Sequence, residues 1–142
     1  IADSRYNIGE YTDCILKPNE VECWRAVYNN EGYIDAGYDE FIEAAQLLAK
    51  KNRSTVFCTL GKRGSIVTDG DRTEKADAVL FDGEVDICGA GDTSLSAFSA
   101  AIAAKTELKA AAQFAGLASG VTVRNIGVKG TASPEDIEAL AQ

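Results

Sequence analysis

The 142-residue sequence has no histidine and no methionine, only two prolines and a single tryptophan. Without histidine, neither a Ser–His nor a Cys–His nucleophile pair can be assembled from this chain, and zinc loses its usual nitrogen ligand. Without methionine there is no native initiator, and the abrupt opening Ile1-Ala2-Asp3 looks like the tail of a buried strand. We therefore expect an excerpt of a longer protein. No apolar run approaches 18 residues and no basic stretch leads into one, which argues against a membrane span and a signal peptide. Cys14, Cys23, Cys58 and Cys88 form no CxxC pair. Scattered in apolar runs such as Val56-Phe57-Cys58, they suit small core residues in a reducing cytoplasm, though their even number leaves a disulfide open. Bases are also scarce, 14 against 22 acids, for a net charge of −8. That balance argues against non-specific nucleic-acid binding and against an anionic membrane surface. It leaves room for a phosphate ligand, which backbone amides can hold locally.

The apolar content of 46% and charged content of 25% are ordinary for a globular domain. A chain of this length makes one domain and buries roughly 68–70% of its unfolded surface. Cys14-Ile15-Leu16, stopped by Lys17-Pro18, has the look of a buried parallel strand meeting a loop. Asn19 then caps a short helix over residues 20–27. Residues 38–51 form an amphipathic helix with Phe41, Ala44, Ala45, Leu48 and Ala49 on one face. Residues 54–60 are β-branched and aromatic and predict a strand, followed by a turn and a second strand over 65–68. Residues 72–76 and 78–81 are candidate edge strands. Alanine-rich helices are expected over 93–104 and 107–122, Gly127 and Gly130 loosen the chain, and Ser133-Pro134 starts a last helix. Strands alternating with such helices predict an α/β domain with a mostly parallel sheet, whose ligands sit at the carboxyl ends of strands.

Three constellations carry chemistry. The first is Gly89-Ala90-Gly91-Asp92, a turn of small residues emptying into a helix. Its uncovered N–H groups and the helix dipole suit an anion, and Asp92 stands where a general base for phosphoryl transfer belongs. The competing interpretation is that Asp92 or Thr93 only caps the helix. The second is Asn19-x-x-Glu22, an amide and a carboxylate on one helical face, suited to hydrated Mg²⁺ and phosphate or simply to a capping pair. The third is Thr59-Leu60-Gly61-Lys62-Arg63-Gly64, a strand end with two glycines and two bases, suited to nucleotide phosphates and ribose or to a plain hairpin. A dinucleotide fingerprint fails because the third glycine position is Ser94, and no Walker A motif is present. The RNA-binding Gly-x-x-Gly loop lies between helices, not between strands as here.

These three motifs, in their chain order of Asn19–Glu22, Thr59–Gly64 and Gly89–Asp92, resemble the ribokinase-like (PfkB) carbohydrate kinases over nearly the whole chain. The run from Asp86 to Thr93, and the ending Gly120-Val121-Thr122-Val123, Gly127 and Thr131-Ala132-Ser133-Pro134-Glu135, look most like the heptose-7-phosphate kinases of ADP-heptose synthesis. The resemblance implies the C-terminal, nucleotide-binding part of a three-layer αβα, Rossmann-like domain. The family's N-terminal Gly-Gly-x-x-Asn sugar site and lid are not in this sequence. It implies Asp92 as catalytic base and the amides of Gly89, Ala90, Gly91 and Asp92 as the anion hole. Asn19, Thr59, Leu60, Gly61, Lys62, Arg63, Gly64, Gly91 and Gly116 would bind nucleotide, and Glu22 would hold Mg²⁺ through water. Relatives that use a monovalent cation such as K⁺ hold it around positions matching Asp86, Cys88, Thr122, Gly127 and Thr131.

Two departures stand out. Gly116 replaces an asparagine that faces adenine, and Cys88 replaces a threonine or serine. The expected partners are ATP and a sugar, with neither nucleic acid nor membrane, in a cytoplasmic parent for which a homodimer is one option. The alternative class is a nucleotide sensor that kept the fold and lost catalysis. A third alternative is that the fragment does nothing without its missing half.

Overall fold

The computed structural model describes residues 1–127 and 131–142, so Gly130 lies outside the described residues. Two compact units follow one another along the chain, residues 1–75 and 76–142.

In the first unit the chain makes parallel bridges between Ala2 and Leu16, Leu16 and Val56, and Asn19 and Thr59. Strand β1 (Val56–Thr59) then pairs antiparallel with β2 (Ser65–Thr68), Phe57 opposite Val67 and Thr59 opposite Ser65. Strand β3 (Thr73–Ala76) completes the order β1-β2-β3. The expected parallel pairing is therefore present only as short bridges, while the continuous ladder is antiparallel. The cause is the connection. Five residues between β1 and β2 can reverse the chain, whereas a parallel neighbour needs a crossover of a dozen or more.

Helix α1 (Glu20–Tyr28) starts at Asn19, and α2 (Tyr38–Asn52) buries all five residues of its expected apolar face. Phe41, Leu48, Leu16, Val56 and Ile66 are fully buried in one cluster. Burying each such side chain contributes about 1.5–3 kcal/mol. Asn52 ends α2 buried, and its Nδ2 donates to the carbonyls of Gly9 at 2.8 Å and Tyr11 at 2.5 Å, tying the entering chain to the helix.

The second unit is built differently. Helices α3 (Ala90–Ala103) and α4 (Leu108–Val123) pack through Ala101, Ala111, Ala115 and Ala118, with Phe98 the one large side chain fully buried there. Residues 78–81, expected as an edge strand, form none. Val79 instead lies on α4, so close that a Cβ at Gly120 would stand 3.2 Å from the Val79 Cβ. A side chain committed to a helix surface in that way leaves its segment no sheet to join. Helix α5 (Pro134–Ala141) opens with a Ser133–Asp136 capping box and proline in its first turn, as its sequence leads one to expect. Among the described residues, no helix is long and apolar enough to cross a membrane.

Candidate active site

In the second unit the conformation of one glycine decides the geometry. Gly89 adopts φ 82° and ψ −5°, the left-handed region that glycine enters at little cost. Helix α3 consequently begins at Ala90, three residues earlier than the sequence suggests, with Gly89 as its N-cap. Ala90, Gly91 and Asp92 form the first turn, and Asp92 occupies its third position rather than the cap. The carbonyl of Gly89 accepts from the N–H of Thr93 at 2.9 Å, closing the first helical bond. The N–H groups of the preceding residues have no intrahelical acceptor by construction. Ala90 spends its own on the Ile87 carbonyl at 3.2 Å. Among the described residues no partner takes those of Gly91 and Asp92, nor the Asp92 carboxylate.

Asp92 and Thr93 open onto a cavity of about 760 Å³. It runs along α3, α4 and α5 past Phe114, Leu117 and Ile137, and Thr131 is among its lining residues. The sequence offered Thr93 only as a helix cap and as the end of the Asp86–Thr93 run. Its hydroxyl meets that of Thr122 at 3.0 Å and so ties the first turn of α3 to the last turn of α4. Thr122 also donates to the Ala118 carbonyl at 3.3 Å and is buried.

Asp86 gathers the residues around the turn. Its Oδ1 accepts from the N–H of Cys88 at 2.9 Å and its Oδ2 from that of Gly127 at 3.1 Å. Its own N–H donates to the Val123 carbonyl at 2.8 Å. These donors, Cys88 first, hold the Asp86 carboxyl below its ordinary range. The structure thus brings Asp86, Cys88 and Gly127 together, with Thr122 one residue from the tie at Val123. Thr131 lies instead with Asp92 on the cavity. Gly116 sits half-buried on α4, where a Cβ would meet the Asp77 carbonyl at 3.7 Å.

In the first unit, the capping interpretation of Asn19 and Glu22 is fully realised. Asn19 Oδ1 accepts from the Glu22 N–H at 2.9 Å, and Glu22 Oε2 accepts from the Asn19 N–H at 2.8 Å. A capping box satisfies two otherwise orphaned donors and locks both side chains against the helix end. It leaves Glu22 Oε1 outside the box. Thr59 ends β1 beside Asn19, its N–H donating to the Pro18 carbonyl at 3.0 Å. The turn after it is a single 3-10 helix over Gly61–Arg63, closed by Leu60 N–H to Gly64 O at 2.8 Å. Gly61 and Gly64 both have positive φ, 56° and 84°, which is why glycine stands at those two positions.

Lys62 is exposed and, among the described residues, has no partner. Arg63 has several, one of them Glu20, which was not recognised from the sequence. Nearby, Lys17 is buried with its ammonium group 3.1 Å from Asp3. The Cys58 thiol, hydrogen-bonded to Cys23 and buried, is pushed well above its usual range, as suits a packing residue. All four cysteines are free thiols.

Among the described residues no three acidic, cysteine or histidine side chains gather as a metal cluster. A divalent ion held by three such side chains has no site among them. One held by a single carboxylate, water and phosphates fits the donors present, since Glu22 keeps one oxygen uncommitted.

The pfkB family carbohydrate kinase model matches residues 11–136. The bifunctional protein HldE of a Nitratiruptor species is 33% identical over 127 residues, covering 87% of this chain and 26% of that protein. The bifunctional protein HldE of a Shewanella species is 31% identical, covering 89% and 26%. The chain thus spans about a quarter of the length of these curated relatives. Arabidopsis thaliana ribokinase, solved with ribose and ATP, is 25% identical with a TM-score of 0.75, covering 90% of this chain and 40% of that one. Phosphofructokinase-2 from Escherichia coli, solved with fructose-6-phosphate, reaches a TM-score of 0.79 at 20% identity, covering 99% and 44%. At that identity the likeness is one of fold.

Proposed function

The chain belongs to the pfkB family of carbohydrate kinases and carries part of their ribokinase-like α/β fold; on that footing we propose that its parent protein transfers the γ-phosphoryl group of ATP to a sugar hydroxyl. The sugar we propose is a heptose 7-phosphate, giving a heptose 1,7-bisphosphate. The proposed specificity rests on the Asp86–Thr93 run and the Gly120–Glu135 ending, which resemble those of heptose kinases, and on the HldE relatives.

The observation that carries the kinase reading is the start of α3. The left-handed Gly89 starts the helix so that Gly91 and Asp92 stand in its first turn, at its positive end, and Asp92 lines an open cavity. In the reaction, a carboxylate oxygen of Asp92 takes the proton of the acceptor hydroxyl as the hydroxyl's own oxygen bonds to the γ-phosphorus. The bond from the γ-phosphorus to the bridging oxygen breaks, and ADP leaves with that electron pair. The Gly91 and Asp92 amides hold the charge spread over the transferring group, a role fixed dipoles fill without reorganising. Gly89 and Ala90 complete the hole by shape, since neither carries bulk that would bar a phosphoryl oxygen.

The Thr59–Gly64 turn serves the nucleotide, and Gly116 would line its base. Glu22 would hold Mg²⁺ through water beside the phosphates, where the ion supplies charge neutralisation. For a monovalent ion, the candidate positions are Asp86, Cys88, Gly127 and the neighbouring Thr122, with Thr131 set apart on the cavity. The Asp86 oxygens already serve two amides, and no step here depends on that ion.

The test is ATP consumption by the full-length parent with heptose 7-phosphate, ribose, fructose and fructose phosphates offered separately. Turnover selective for the heptose phosphate is expected. Turnover with another sugar retires the heptose and keeps the kinase. ATP binding without turnover on any sugar makes the protein a nucleotide-binding module instead.

A further inference from the structure

The two bases of the Gly61–Gly64 turn are not equivalent. Lys62 is exposed and, among the described residues, without a partner. Arg63 is held from three sides. Its Nη2 lies 2.7 Å from Glu20 Oε2, its Cζ lies 4.7 Å from the centre of the buried Phe41 ring, and its Nη1 reaches the Ala36 carbonyl at 3.5 Å. Glu20 is the first residue of α1, directly after Asn19. The backbones meet at the same place, through the Asn19–Thr59 bridge and the Thr59 N–H to Pro18 O bond.

We propose that Arg63 is a positioning residue: it straps the nucleotide-binding turn to the start of α1 through Glu20 and to α2 through Phe41, leaving Lys62 as the cation that meets phosphate. This deepens the kinase reading and rests on it. A guanidinium spent on a carboxylate and an aromatic face is poorly placed to contact ATP as well, because either contact fixes its plane. What it supplies is registry. The turn is short, glycine-flanked and held internally by three backbone bonds, so its angle to the helix depends on an outside anchor. The pair is partly exposed, 39% and 34% for the two side chains, so its effect is modest. A few-fold change is what such a pair gives.

The experiment uses the full-length parent with Arg63→Gln, Glu20→Gln, Lys62→Gln and the exchanged pair Glu20→Arg with Arg63→Glu. Two quantities are read: amide hydrogen exchange over residues 60–64, and KM for ATP against kcat. Arg63→Gln and Glu20→Gln should each speed exchange and raise KM for ATP by about threefold to tenfold, with kcat held within about twofold. The exchanged pair should recover most of both. Lys62→Gln should raise KM and leave exchange as it was. A KM raised by Arg63→Gln but untouched by Glu20→Gln would mean that Arg63 contacts the nucleotide itself, and overturns the proposal. Unchanged exchange in both overturns it as well. If the unaltered parent consumes no ATP, the kinase reading falls, while the exchange data still decide whether the strap holds the turn.

Discussion

The two units solve opposite problems with opposite materials. Residues 1–75 bury Phe41, Leu48, Leu16, Val56 and Ile66, and their candidate site residues are tied down several times over: Asn19 and Glu22 to each other, Arg63 to Glu20 and Phe41. Residues 76–142 pack α3 on α4 through alanines, and their key residues, Gly91 and Asp92, carry no such ties among the described residues. Under the function proposed above, the difference follows from what each must do to a ligand. A turn that grips a nucleotide gains from a fixed position, whereas a base and an anion hole must keep their lone pairs and N–H groups uncommitted until the reacting group arrives. Bulky side chains achieve the first. Small ones, which let backbone be approached, achieve the second.

The sharpest way to break this contrast is Asp92→Asn in the full-length parent. An uncommitted carboxylate acting as base predicts a fall in kcat of about 10²–10⁴-fold with ATP affinity kept. Steady-state turnover beside calorimetric ATP binding measures both, and unchanged turnover removes Asp92 from the role. Next in size, Phe41→Ala should cost about 3–5 kcal/mol in urea unfolding, because its ring is fully buried and also lies under Arg63. If its cost is no larger than that of an exposed substitution, the first unit is not held as its packing implies.

Smaller again are the glycines. Gly89→Ala and Gly61→Ala both place a Cβ at positive φ, 82° and 56°, with no contact closer than the Thr122 methyl at 3.9 Å in the first case. Each should therefore cost about 1–2 kcal/mol from backbone conformation alone. The two should part in kinetics: Gly89→Ala lowers kcat by shifting the helix start, and Gly61→Ala raises KM for ATP. Equal effects on both constants would erase the distinction drawn between the units.

The smallest effect is a pH dependence. The N–H groups of Cys88 and Gly127 favour the charged Asp86, so its carboxyl titrates lower in the folded chain than in the unfolded one. Its stabilisation is thus complete above the unfolded value, about 3.9, and is lost as pH falls through the folded value. Asp86→Asn should flatten the acid limb of a stability profile and leave neutral stability-versus-pH slopes alone. Carboxyl NMR of the unaltered chain should show Asp86 titrating below a free aspartate.

Much of this was legible in residue patterns. The five buried apolar residues of α2 were named by spacing, because a helix of period 3.6 exposes its core face in the order of its apolar residues. The Ser133 and Asn19 caps were legible for a similar reason, since capping is decided within four residues. Arg63 was not. As a base in a glycine turn it looks like a phosphate ligand, and only the return of α1 and α2 to the same place reveals Glu20 and Phe41 around it. Residues 78–81 were misjudged likewise. Their composition suits a strand, but a strand needs a neighbour, and Val79 found Gly120 on α4 first.

The sequence by itself determined which long segments are helical, that Asn19 and Ser133 cap two of them, and which family of folds the motifs belong to. Those properties rest on contacts within a few residues and on side-chain periodicity. Tertiary structure alone decided that α3 begins at Ala90 and that one base of the turn is strapped while the other, among the described residues, is not. Each of these depends on which distant groups compete for the same hydrogen bond, ring face or sheet edge, and such competition is settled only when the chain has folded.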